Sequence, residues 1–149
     1  MVPTAIGLAS ARRILRPLSK KIFPYAKEIP VANISDSLNK IMELSGCVAC
    51  AIVDYNNGTV LGKKGSGVNL EIAGAGNSEV VKAQLRVMKQ LGIPGVIEDI
   101  LITLSNQYHI IRPLTSRAGL FMYIILEKDK ANLGMSRYKS SLIEADLIV

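Results

Sequence analysis

The sequence predicts an α/β sandwich of the α+β kind: a five-stranded, mainly antiparallel sheet with helices on both faces, in the order α-β-β-α-β-β-β-α, preceded by a basic N-terminal extension. Three observations lead there. The runs "CVACAIV" at 47–53 and "LFMYIIL" at 120–126 are apolar on both alternating faces, as strands covered on two sides must be. The strand-like runs fall into two groups whose members are joined by short polar connections, the lengths that hairpins use. One long stretch with helical apolar spacing separates the groups, and further helices flank them.

The chain has 149 residues, one domain's worth, and a domain of that size buries about 68–70% of the surface its unfolded chain exposes. Nearly half of the residues are hydrophobic and a fifth are charged, which excludes disordered and membrane-spanning classes. Tryptophan is absent and aromatics are few, so little here could form a base-stacking surface. The net charge of +6 is unevenly spread. Residues 1–33 carry six basic side chains (Arg12, Arg13, Arg16, Lys20, Lys21, Lys27) against Glu28 alone, and the remainder carries twelve against eleven. The basicity belongs to the extension, and the rest is near neutral.

Four of the six prolines, Pro3, Pro17, Pro24 and Pro30, break the first thirty residues into short pieces, which sets a boundary near Asn33 between an extension (1–33) and a domain (34–149). In the extension the apolar stretch precedes the charges, the reverse of a secretory signal, and no apolar run reaches membrane-spanning length. Arg12, Arg13, Arg16, Lys20 and Lys21 are its candidate contacts to an anionic surface. A transit peptide, a membrane-surface helix and a helix that docks on protein all fit this composition, and docking is the reading preferred.

In the domain, Ser35 can cap a helix with Ile34, Leu38, Ile41 and Met42 at helical spacing, stopped by Gly46. The first strand, Cys47 to Val53, turns at Asn57-Gly58 into a second, Thr59 to Lys64, whose Lys63 and Lys64 mark a protected sheet edge. The glycines of "GSGVNLEIAGAGNSE" match neither the dinucleotide fingerprint nor the P-loop. Asn77 or Ser78 therefore begins a central helix ending at Gly92, with one apolar stripe of Val80, Ala83, Val87 and Leu91 and a second of Val81, Leu85 and Met88. One stripe suffices to cover a sheet, so the second is expected to meet something else. Strands follow at Glu98 to Leu104, Tyr108 to Leu114 and Leu120 to Leu126. Asp129 caps a last helix with Ala131, Met135, Tyr138 and Leu142 on one stripe.

Two constellations could carry chemistry. Cys47 and Cys50 form a C-x-x-C, a spacing that serves zinc and redox sites on turns or helix starts. On a regular strand residues three apart point to opposite faces, about 10 Å apart, so these thiols are expected to be structural and reduced. His109, the only histidine, follows Glu98 and Asp99 closely. Those two acids alternate across their strand, and no nucleophile or metal-ligating companion joins the histidine, so His109 reads as a strand residue. Asp54 reads as a turn residue. No catalytic, cofactor-binding or metal-binding residue is expected.

"GCVACAIVDYNNGTVLG", "IEDILITLSNQYHIIRPL" and "LFMYIILEKDKANLGMSR", in this element order, resemble the roadblock/dynein light chain family across residues 34–147, with the basic extension as the departure. The resemblance implies a profilin/longin-like fold and a non-catalytic cytoplasmic protein, peripheral to a membrane if the extension binds one. It implies a homodimer, or a pair with another roadblock subunit, that scaffolds or regulates a small Ras-like GTPase in signalling, polarity or motility. Family dimers join their third strands, with the central helices packed across the junction. Here that implies an interface of Glu98, Ile100, Ile102, Leu104, Val81, Leu85 and Met88. The third strand carries no lysine or proline to blunt an edge, so pairing with a copy of itself is expected independently. Arg86, Arg112 and Arg117 are available should the protein assist GTP hydrolysis. The other reading is a peripheral membrane or nucleic-acid adaptor acting through residues 1–33.

Overall fold

The computed structural model describes residues 32–149, and residues 1–31 of the extension, with its five candidate basic contacts, lie outside the described residues. The described elements are α1 (Ile34–Met42), β1 (Cys47–Asp54), β2 (Thr59–Gly65), α2 (Leu70–Leu91), β3 (Ile100–Thr103), β4 (Gln107–Pro113), β5 (Leu120–Glu127) and α3 (Leu133–Asp146). The five strands form one antiparallel sheet in the order β2-β1-β5-β4-β3. The two runs that are apolar on both faces, β1 and β5, lie side by side in its interior, and every residue from Leu120 to Leu126 is buried.

Alternation along the strands divides the core in two. Leu38 and Ile41 of α1, Ile143 of α3 and the strand residues Cys50, Ile52, Ile110, Met122 and Ile124 fill one side. Leu70 and Val81 of α2 with Ala51, Val53, Ile111, Phe121, Tyr123 and Ile125 fill the other. The sheet therefore carries α1 and α3 on one face and α2 on the opposite one.

Helix α2 begins at Leu70 rather than at Asn77 or Ser78. Asn69 caps it, its side chain accepting from Ile72 N at 3.1 Å. Of the glycines just ahead of Asn77, Gly74 serves close packing: a Cβ there would lie 3.0 Å from Val60 Cγ2 and 3.4 Å from Val53 Cγ2, whereas Gly76 faces open space. The buried face is Leu70, Gly74, Ser78 and Val81. Of the stripe of Val81, Leu85 and Met88, only Val81 is buried against the sheet; Leu85 is exposed and Met88 half-buried, and Val80, Val87 and Leu91 lie outward.

Helix α3 is turned the other way from expectation. Asn132, not Asp129, caps it by accepting from Met135 N at 3.0 Å. Ser136, Ser140, Ile143 and Glu144 face inward, while Met135, Tyr138 and Leu142 are 47%, 61% and 50% exposed. Polar atoms can face inward because each finds a partner. Glu144 accepts from Arg112 Nε at 2.7 Å and from Thr115 N and Oγ1 at 2.6 and 2.8 Å, and Ser140 Oγ donates to Ser136 O. Burial pushes the Glu144 carboxyl up, but the Thr115 amide, the Arg112 guanidinium and the Thr115 hydroxyl outweigh it and leave it below the usual carboxylate value. Asn33 precedes α1 and ties it to the end of α3, receiving Ile148 N on its side-chain oxygen at 2.7 Å and donating to Asp146 O at 2.7 Å. It takes the place expected of Ser35.

Candidate interaction surface

Strand β3 ends the sheet opposite the lysine-bearing β2, and among the described residues its outer side has no strand partner. It is shorter than the sequence suggests. Glu98 precedes it and is exposed, and Leu104 follows it, its N–H closing the turn onto Gln107 O at 2.8 Å. Within the strand, Ile100 pairs with Ile111 and Ile102 with His109, and both isoleucines lie half-buried against the α2-side core. Leu101 and Thr103 point to the other face and are exposed. No lysine or proline blunts this edge.

Beside it, the second half of α2 leaves apolar surface open. Leu85, Val87 and Leu91 are 38%, 42% and 66% exposed, Met88 is half-buried, and Ile93 and Val96 are exposed in the connection to β3. Val81 does not belong to this surface. It is wholly buried in the core on the α2 side of the sheet.

The two acids and the histidine are kept apart. Asp99 receives both Arg137 Nε (2.7 Å) and Arg137 Nη2 (3.1 Å) on the α3 side of the sheet, its side chain nearly buried in that fork. His109 faces α2. Its Nδ1 lies 2.7 Å from the Tyr123 hydroxyl and its Nε2 2.9 Å from Gln107 Oε1, the pattern of a neutral imidazole accepting from tyrosine and donating to the amide. Burial lowers the histidine's proton affinity, which favours that neutral form. Burial also raises the Tyr123 pKa, opposed by a hydrogen bond with Asn77 of α2. Asp54 holds the hairpin turn, accepting from Asn56 N at 2.9 Å. Arg112 is committed to Glu144, and Arg117 donates to Val149 O.

The cysteines depart most from expectation. The pairing of β1 with β5 slips between Cys47 and Ala49, a bulge that puts Val48 and Ala49 on the α2 side in succession. Cys47 and Cys50 consequently share the α1 face.

One strand without a strand partner among the described residues thus lies beside a helix with a bare apolar stripe. The fold is that of roadblock/LC7 domains. It is similar to the Roadblock/LC7 domain of Streptomyces avermitilis (TM-score 0.67, 10% identity, covering 77% of this chain and 94% of that one). It is also similar to Myxococcus xanthus MglB (0.67, 14%, 76% and 89%) and to the gliding protein MglB of Thermus thermophilus (0.60, 13%, 76% and 89%). No family model and no curated protein matches the sequence. Among the described residues no helix is long and apolar enough to cross a membrane.

Proposed function

We propose that the protein is a non-catalytic homodimeric scaffold or regulator that binds or modulates a small Ras-like GTPase in signalling, polarity or motility. The observation that carries this reading is the open β3 edge lying beside the bare stripe of α2. Two copies related by a two-fold axis would pair β3 with β3 and pack Leu85, Met88, Val87 and Leu91 across the junction, with Ile100 and Ile102 beneath. Fully burying a Leu or Val side chain stabilises by about 1.5–3 kcal/mol, and these are already partly buried, so about 1 kcal/mol remains for each. Counted in both subunits, the helices supply roughly 6–8 kcal/mol, against an association cost of about 4–15 kcal/mol. Helix packing alone is marginal. The strand pairing supplies the main-chain hydrogen bonds and fixes the register.

The likeness to MglB, a gliding protein in one of its structures, favours motility and polarity as the setting. The commitment of Asp99 to Arg137, and of His109 to Tyr123 and Gln107, favours a role without chemistry of its own. The test is capture of small GTPases by the full chain, residues 1–33 included, with bound guanine nucleotide analysed. Retention of a Ras-like GTPase in one nucleotide state supports the reading. Recovery of the protein with other partners and no GTPase sinks it.

The charge split favours a second reading, in which residues 1–33 act as a separate module that attaches the domain to an anionic surface. Salt-sensitive binding to anionic vesicles or to DNA, lost when 1–33 are deleted, supports it. Binding that survives the deletion rules it out.

A further inference from the structure

The free edge of β3 presents its main-chain groups at alternate residues only. Leu104 N donates to Gln107 O, so these two form a hydrogen-bonded pair, and the alternation of an antiparallel ladder gives Ile102 with His109 and Ile100 with Ile111 the same status. Leu101 and Thr103, in the pairs between, turn their N–H and C=O groups away from β4 toward the open edge. Asp99 continues the pattern by one residue. Its side chain meets Arg137 of α3, on the face opposite Ile100 and Ile102, as the next step of an extended backbone requires. Among the described residues no turn or loop bond takes the main-chain groups of Asp99, Leu101 or Thr103.

We propose, resting on the β3-paired dimer above, that two copies meet with Leu101 on the two-fold axis, facing the partner's Leu101, and that the Asp99–Arg137 fork selects this register. In an antiparallel ladder an outward residue must face an outward residue. Leu101 therefore has three choices within the strand. Facing the partner's Thr103, it leaves Asp99 opposite the partner's Ser105, which lies in the bend after β3, so only Leu101 and Thr103 bond. Facing the partner's Asp99, it sets Ile102 against the partner's Glu98, an exposed charge. Facing itself, Leu101 lies between two further pairs, in which Asp99 meets the partner's Thr103 and Thr103 the partner's Asp99. Every outward group of both strands is then bonded. On the α2 side Ile100 meets the partner's Ile102 in the closer, non-hydrogen-bonded spacing, once on each side of the axis.

The fork decides between the first choice and the last. Arg137 holds both carboxylate oxygens of Asp99 and leaves that side chain 6% exposed, which neutralises its charge and keeps residue 99 in line with the strand. Were residue 99 released, the self-facing register would keep only its central pair, while the Leu101–Thr103 register would lose nothing. Arg137 is thus a positioning residue for the dimer, acting through Asp99 from outside the junction.

The test is disulfide trapping in the full chain carrying Cys47→Ser, with Cys50 left in place because it is buried. Leu101→Cys and Ile102→Cys are introduced singly, oxidised mildly at micromolar concentration and read as covalent dimer on non-reducing gels. In the proposed register the Cα atoms at position 101 stand about 5.5 Å apart and those at 102 about 8 Å, and a disulfide spans about 4.4–6.8 Å. Leu101→Cys is expected to link and Ile102→Cys to stay unlinked. Adding Arg137→Gln should move the link from 101 to 102, a shift that general loosening of the fold would not produce. Linking through Ile102→Cys in the parent chain overturns the register while leaving the β3 dimer intact. An Arg137→Gln chain that still links through 101 overturns the role of the fork. If neither position links, the register is overturned, and sedimentation of the wild type shows whether the dimer falls with it.

Discussion

Glu144 stands among side chains that should turn outward, and its partners explain why it does not. Three donors meet one carboxylate at the seam between α3 and β4, which makes the helix end a lock rather than a liability. Removing one partner of a buried ion pair costs about 3–5 kcal/mol. Glu144→Ala is therefore expected to lower the urea midpoint by an amount near that range, with the slope unchanged. Because the folded carboxyl sits below its ordinary value of 4.5, the stability it contributes is present above that pH and lost as pH falls through the folded value. His109 works at higher pH. Its folded pKa is below 6.5, so the unfolded chain takes up the proton first, and stability falls as pH drops from 6.5 toward the folded value. His109→Gln should flatten the stability curve in that window while leaving the acid limb from Glu144 in place, which denaturation across pH would read out. Neither partnership could be read from the sequence, since Glu144 meets Arg112 and His109 meets Tyr123 across long separations. The sequence showed only that no second histidine exists and that Glu98 and Asp99 precede His109 in the chain.

The elements were legible where their pattern is strong and illegible where it is symmetric. β1 and β5, apolar on both faces, declared themselves interior strands, and Asn57-Gly58 declared the hairpin. In α2, two apolar stripes of similar quality left no way to tell which met the sheet, and the glycines concealed the first two turns. Close approach of Gly74 to Val60 and Val53 resolves both points. A bulkier residue there should force the helix off the sheet, and Gly74→Val is expected to cost about 1–3 kcal/mol, read by thermal or urea unfolding. For α3 the apolar stripe misled, because buried polar residues with complete hydrogen bonding compete successfully with apolar ones. Leu142→Gln on its exposed stripe should change stability by no more than about 0.5 kcal/mol, whereas an inward-facing Leu142 would cost several times that. The bulge at Val48 has no sequence signature, which is why the facing of Cys47 and Cys50 came only from the structure.

At the scale of the molecule, charged residues line one edge of the sheet, and among the described residues no strand closes the other. β2 carries Lys63, paired to Glu71 of α2, and Lys64. β3 presents Leu101 and Thr103 with an open main-chain edge, and the apolar end of α2 stands beside it. A domain built this way is predicted to complete itself with a second copy, and its regulatory reading depends on that. Leu101→Lys should blunt the edge in the manner of natural edge strands, while leaving the fold intact because its side chain is already exposed. The most direct measurement is the mass of the full chain in solution at micromolar concentration, by sedimentation or light scattering, with the Leu101→Lys chain alongside. The wild type is expected at twice the 16.1 kDa chain mass and the variant shifted toward the single mass, with unchanged circular dichroism. A wild-type chain that runs at its single mass, or a dimer indifferent to Leu101→Lys, would contradict it.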